Sequence, residues 1–246
     1  MVTIFSSNYL ARYPIELAMK KFAKNFDSNG RILDIGCGHK PYAKFFSCKY
    51  VGLDPFEEVN PDIIANAWEI PVLDNYFDGV ILNQSLEHIE KTKETISEIR
   101  RVLKPGGVGI ITAPQTMKVH SLPIPVEKIK SAMHSNLNKS EIQYWHNDYY
   151  RFTKFGLILL FKDFEIISIR ETNGYFGTIL QLVNYFFSSF GVKFIFSPIF
   201  LINNILGYIM DGFFNLATSP NVTQLKKFQN LIYSTLTLNY ILIIKK

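Results

Sequence analysis

Residues Arg31–Gly38 read Arg-Ile-Leu-Asp-Ile-Gly-Cys-Gly, and no other stretch restricts the fold as strongly. An apolar strand-like run ends there in a glycine turn. About 20 residues further on, at the spacing of a nucleotide-binding βαβ unit, Tyr50-Val51-Gly52-Leu53 forms a second strand ending in Asp54. Strand, glycine turn and distal carboxylate describe a nucleoside-binding edge of a parallel sheet. Glycines let the backbone approach a ligand closely, and a carboxylate suits a ribose diol.

Charge decides which nucleoside fits. A dinucleotide fingerprint needs a third glycine, but Pro41 stands three residues after Gly38. It also sets a pyrophosphate over the turn, where the carboxylate of Asp34 would oppose it. A phosphate-free ligand with a cationic amino-acid end suits the same residues. S-adenosylmethionine is such a ligand: its ribose matches Asp54 and its ammonium matches Asp34. The competing reading is an ordinary α/β domain that merely has a glycine-rich first turn.

With 246 residues the chain can build one substantial domain, or one domain with an insertion. Its net charge of +5 comes from dispersed lysines, so no nucleic-acid arm is expected; a solvated lysine face or an anionic membrane surface accounts for it. Two cysteines, Cys37 and Cys48, cannot make a structural zinc site unaided, and no metal site is expected. They read as reduced thiols of a cytoplasmic protein, and the first residues lack a secretory signal pattern.

Along the chain, Pro14 is expected in the first turn of an amphipathic helix running to Phe22. A short helix over residues 42–46 follows the first strand. Further strands are expected at 62–65, 77–83 and 108–113, with a helix from about Lys91 to Leu103 stopped by Pro105-Gly106-Gly107. Alternating strands and helices imply an α/β, doubly wound, mostly parallel sheet. Beyond a loop at 114–152, Thr153 is a plausible N-cap for a helix over 155–161, and a strand lies near 164–171. Residues 236–244 form the last strand, read as antiparallel.

The first half of the chain resembles a class I S-adenosylmethionine-dependent methyltransferase of the small-molecule type. The matching pieces are Leu33-Asp34-Ile35-Gly36-Cys37-Gly38, Val51-Gly52-Leu53-Asp54, Ile70-Pro71, Phe77-Asp78-Gly79-Val80, Ser85-Leu86-Glu87-His88-Ile89 and the run Ile99–Gly107. The resemblance implies a Rossmann-like, seven-stranded sheet with S-adenosylmethionine as cofactor. It implies that Asp34, Gly36, Cys37 and Gly38 line the methionine end of the cofactor and that Asp54 takes the ribose. Asn66 and Ala67 fall where the family holds adenine, although Asn66 replaces the usual Asp. Asn83 ends the fourth strand, where open α/β sheets bind ligands. His88 is a candidate catalytic base, or packs the loop as part of a common Glu-His pair.

A second cluster, Trp145-His146-Asn147-Asp148-Tyr149-Tyr150-Arg151-Phe152, joins an imidazole to a carboxylate, an arginine and aromatic rings. His146 oriented by Asp148 could deprotonate a hydroxyl, with Tyr149, Tyr150 and Arg151 binding the acceptor. The other reading makes these residues a helix entry, with aromatics in the core and Arg151 paired to a carboxylate. The segment resembles one in methyltransferases of surface-polysaccharide and glycan biosynthesis, which implies a small-molecule or lipid-linked glycan acceptor. Methylation of a quinone or phenolic lipid, and a non-catalytic cofactor-binding scaffold, remain rival readings.

Domain organisation is read as a cofactor-binding core over 1–174, an apolar helical insertion over 175–235 and a returning strand over 236–246. From Tyr175 to Met210 the only charged residue is Lys193. Gln181, Asn184 and Ser188 form a polar stripe at helical spacing, and Asn204, Asp211 and Asn215 a second. Such helices suit an interface, so 176–214 reads as a peripheral membrane contact at the inner face of the membrane, as an internal lid, or as a spanning hairpin.

Overall fold

The computed structural model describes residues 2–118, 148–216 and 236–246. Seven strands form one mixed sheet in the order β3-β2-β1-β4-β5-β7-β6. They are β1 (Arg31–Ile35), β2 (Lys49–Asp54), β3 (Ile63–Ile64), β4 (Phe77–Asn83), β5 (Leu103–Pro114), β6 (Glu165–Glu171) and β7 (Asn239–Lys245). The first five are parallel, and β7 runs antiparallel between β5 and β6. This is the doubly wound, Rossmann-like architecture expected from the alternation of elements, including its reversed last strand.

Burial on both faces explains the apolar strands. Leu33, Ile35, Leu53, Val80 and Leu82 pack against helix α2 (Thr92–Val102) and helix α3 (Lys154–Leu160) through Ile96, Ile99, Val102 and Leu157. On the opposite face Ile32, Ile81, Ile110 and Ile241 meet Ile15, Ala18, Met19 and Phe22 of helix α1 (Tyr9–Ala23). Thr153 does cap α3, its hydroxyl accepting from the Gly156 N–H at 3.1 Å.

Four local expectations shift. Pro14 lies inside α1 and not in its first turn. Leu10 and Ala11 bury against Tyr185 and Leu238, and this packing draws the helix five residues upstream of the proline. The segment 42–46 shortens to a 3-10 turn over Ala43–Phe45, and the third strand shortens to Ile63–Ile64. Finally, α2 stops at Val102 before the Pro-Gly-Gly run, because Leu103 already pairs with Phe77 and opens β5.

The insertion is a hairpin of helix α4 (Tyr175–Ser188) and helix α5 (Lys193–Leu216). Gln181, Asn184 and Asn204 are fully buried on its inner side, against α1 and the N-terminal segment. Gln181 Nε2 donates to the Ser7 carbonyl at 2.5 Å, and its Oε1 accepts from the Ala11 N–H at 3.3 Å. Asn204 Nδ2 donates to the Ile4 and Ser6 carbonyls, and its Oδ1 accepts from Asn184. The Asp211 carboxylate accepts from the N–H groups of Gly174 and Gly177, supplying the N-terminal cap of α4.

Candidate active site

Parallel register carries the side chains at 32 and 34 of β1 and at 50, 52 and 54 of β2 to one face, since Ile32 pairs with Tyr50 and Asp34 with Gly52. The two acids predicted from sequence therefore share the α1 face at the carboxyl ends of the strands. Asp34 is buried and accepts a 2.5 Å hydrogen bond from the Tyr50 hydroxyl. Burial pushes its carboxyl up to about 7, with the neighbouring Asp54 adding to the rise and the Tyr50 bond opposing it. Asp54 is also buried; its Oδ2 accepts from the Gly38 N–H at 3.0 Å and its Oδ1 from the Phe56 N–H at 3.1 Å.

The turn between them depends on its glycines. Gly36 and Gly38 have φ of +69° and +48°, in the left-handed region. A Cβ on Gly36 would lie 2.3 Å from Ser85 Oγ, whereas one on Gly38 would meet nothing within 4 Å. Gly38 thus opens on space that a ligand can use, beside Asp54. Cys37 folds onto β2: a Cβ at Gly52 would fall 2.7 Å from its sulfur. Burial pushes the Cys37 thiol up to about 12, and both cysteines are free.

Asn83 accepts at Oδ1 from the Thr112 hydroxyl at 2.7 Å and is hydrogen-bonded to Tyr42 as well. Asn66 is exposed, Ala67 beside it is buried, and the Asn66 carbonyl accepts from the Glu69 N–H. Asp34, Asp54, Gly36 and Gly38 thus meet at the carboxyl ends of β1 and β2, while Asn66 and Ala67 lie on the loop after β3, with Ala67 packed in the core on the α2 side.

Three neighbours escaped the sequence reading. Tyr50 holds Asp34, Tyr42 holds Asn83, and Asp62 braces the turn. Asp62 Oδ2 accepts from the Gly52 N–H at 2.6 Å and from Lys40 Nζ at 2.8 Å. Burial opposes its ionisation, but these two donors keep its carboxyl below the usual range. Alternation along β2 is the signal that could have found Tyr50, since 50, 52 and 54 share one face.

The residues fit a nucleoside. The Asp54 carboxylate has about four acceptor positions, and its two backbone donors leave room for both ribose hydroxyls. The open side of Gly38 admits the ligand backbone.

The second cluster is built differently from the dyad expected. His146 lies outside the described residues. The Asp148 carboxylate, fully buried, is gripped by both terminal nitrogens of Arg151, one pair at 2.6 Å. Arg151 also donates to the carbonyls of Met117 and Lys118, tying the loop to the end of β5. Tyr149 and Tyr150 are half-exposed with ring centroids 6.0 Å apart. They line a cleft of about 440 Å³ with Gln115, Thr116, Met117 and Leu182 of α4. The backbone N–H of Tyr149 donates to the Glu87 carbonyl, so this cleft abuts the turn that carries His88. His88 Nε2 lies 3.9 Å from Glu87 Oε1. Burial pushes the Glu87 carboxyl up to about 7, and both its oxygens are buried with no hydrogen-bond partner among the described residues. Among those residues no group of three or more His, Cys, Asp or Glu could hold a metal.

Comparison with known proteins agrees with this geometry. A family model described as a methyltransferase domain matches residues 8–175. The tRNA (carboxymethyluridine(34)-5-O)-methyltransferase of Arabidopsis thaliana is 32% identical over 120 residues, 44% of this chain and 29% of that protein. The ubiquinone/menaquinone biosynthesis C-methyltransferase of Burkholderia mallei is 30% identical over 103 residues, 34% of this chain and 42% of that protein. The chain thus spans less than half the length of these curated relatives. The crystal structure of a SAM-dependent methyltransferase from Archaeoglobus fulgidus superimposes with a TM-score of 0.54 at 14% identity, covering 96% of this chain and 94% of that one. The chain belongs to the methyltransferase-domain family, and its fold is that of the S-adenosylmethionine-dependent methyltransferases.

Proposed function

We propose that this protein, in the cytoplasm or at the inner face of the membrane, O-methylates a sugar or glycan precursor, free or lipid-linked. The observation that carries the acceptor assignment is the Tyr149–Tyr150 cleft beside the His88 turn. Two tilted tyrosine rings offer apolar faces to the C–H surface of a sugar, and Gln115 and Thr116 bring hydrogen-bonding groups to its edge. Arg151, expected from sequence to bind the acceptor, has its donors committed to Asp148 and to the Met117, Lys118 and Tyr150 carbonyls and holds the wall instead.

Asp54 would accept from the ribose hydroxyls, and Asn66 and Ala67 would border adenine. Asp34 would face the ammonium, with Gly36, Cys37 and Gly38 bringing the backbone close and Asn83 closing the floor. The bound cofactor supplies a methyl group on a positively charged sulfur, open to in-line displacement. The protein's share is alignment and exclusion of water. A hydroxyl acceptor also needs a proton acceptor. His88 serves that role in our reading, its Nε2 lying 3.9 Å from the buried Glu87 carboxyl. His146 is the alternative base. Asp148, gripped by Arg151, acts by holding the wall of the cleft.

A second reading, methylation of a quinone or phenolic lipid, is favoured by the apolar contribution of Met117 and Leu182 and by the quinone-biosynthesis relative. A non-catalytic scaffold is the third. Calorimetry with S-adenosylhomocysteine comes first: absence of binding favours a scaffold whose cofactor site is degenerate. The protein is then incubated with S-adenosylmethionine and separated glycan, lipid-linked glycan and quinone fractions, with mass spectrometry of each. A methyl-sized gain in a glycan fraction supports the leading reading, and a gain confined to the quinone fraction replaces it with the second.

A further inference from the structure

The α4–α5 hairpin is built with its polarity reversed relative to a soluble helix pair. Its polar stripe, Gln181, Asn184 and Asn204, is wholly buried, with Gln181 and Asn204 bonded to the N-terminal segment and Asn184 bonded to Asn204. Its apolar stripes face out. On α4 these are Ile179, Leu182 and Phe186, at three- and four-residue steps, continued by Phe190 just past its end; on α5 they are Ile195, Ile202, Ile205 and Ile209. Phe194 at the start of α5 is 94% exposed, Phe186 60% and Ile209 61%. At the tip, Phe186, Phe187, Phe190 and Phe196 stack on one another with centroids 5.1 to 6.0 Å apart. The stretch Phe194–Gly212 is long and apolar enough to cross a membrane, yet only 17% of it is buried in the protein. A core helix of that composition would be mostly covered.

We infer that this outward face docks the protein onto an anionic lipid bilayer, with the Phe-rich tip and the outer stripes inserted among the acyl chains and the hairpin lying along the interface. Charge and aromatic placement select lipid over a protein partner. No charged residue other than Lys193 occurs between Tyr175 and Met210, so the face lacks the polar rim of a reversible protein interface. At its foot the side chains change to those of a membrane–water boundary. Tyr9 stacks on Tyr13 at 4.7 Å, and Tyr13 lies 6.3 Å from the exposed Tyr208. The exposed cations Lys118, 5.3 Å from the Tyr185 ring, and Arg12, whose charge also acts on Tyr185, stand beside them. A net charge of +5 adds attraction to an anionic surface. The hairpin lies flat and does not span, because Gln181 and Asn204 are tied at mid-helix to the N-terminal segment of the domain. Leu182 belongs both to this face and to the tyrosine cleft, so docking brings the cleft mouth to the lipid surface. The docking inference itself does not depend on which acceptor is methylated.

Flotation of the full chain with phosphatidylcholine vesicles, containing or lacking phosphatidylglycerol, tests the inference. The expected result is co-flotation that is stronger with the anionic vesicles. Phe194→Asp and Ile209→Asp should each cut the floated fraction about tenfold or more while leaving the circular dichroism spectrum and S-adenosylhomocysteine binding unchanged. Protein that stays at the bottom with both vesicle types overturns the inference. So does flotation that these two variants do not reduce. Sedimentation velocity supplies the competing outcome: a dimer dissociated by the same variants, without vesicle binding, would assign the face to a second copy of the chain.

Discussion

Asp54 sits where two backbone N–H groups already aim its carboxylate, so in the proposed reading a ribose diol would meet an acceptor that is fixed in advance. Asp54→Ala removes the paired ribose contacts and should weaken S-adenosylhomocysteine binding by about 1.5–3 kcal/mol, read by calorimetry. Unchanged affinity would mean the ribose lies elsewhere. Glu87 governs a different measurement. Burial raises its carboxyl from an ordinary 4.5 to about 7, so over that interval the folded protein keeps a proton that the unfolded chain has released. The stabilising contribution is whole below the interval and lost as pH rises through it. Glu87→Gln should flatten that decline, seen in urea unfolding compared at about pH 5 and about pH 8; an unaltered slope would assign the titration to other groups. At this scale the sequence displayed Asp34, Gly36, Gly38 and Asp54, because glycine turns and strand-end acids are local signals. It concealed Tyr50 and Asp62, whose importance comes from strand register. It offered Arg151 paired to a carboxylate as one of two readings; that the carboxylate is Asp148 was set by how the loop returns to Met117 and Lys118.

Elements were legible where one periodicity ruled and blurred where distant packing intervened. The helix capped by Thr153 was readable from its cap, and Thr153→Ala should cost about 1 kcal/mol in denaturant unfolding. Pro14 misled for the opposite reason: a proline marks a favoured first turn, but Leu10 and Ala11 gain a buried contact that extends the helix past it. The inner side of the hairpin is joined by buried amides. Asn184→Leu strips Asn204 and Asn203 of their partner and should destabilise the protein by about 2 kcal/mol or more. Hydrogen exchange at residues 4–11 should rise with it, since those residues supply the carbonyls and N–H that the stripe engages.

For the whole molecule the last strand is decisive. β7 fills the gap between β5 and β6, and it buries Tyr240, Ile241, Leu242 and Ile244 from the far end of the chain. A chain ending at Leu238 leaves β6 without a neighbour and opens both faces of the sheet. It should show no cooperative thermal transition by circular dichroism; a cooperative transition would mean that the first five strands suffice. The order of strands and helices, the reversed final strand and the glycine turn with its strand-end acids were readable in the chain alone, because periodicity, turn chemistry and spacing act within a few residues. The sequence also announced that the insertion is striped. Only the tertiary structure decided which stripe turns inward. That choice rests on carbonyls at Ile4, Ser6 and Ser7, as many as 200 positions away, which satisfy the buried amides and leave the phenylalanines and isoleucines outside.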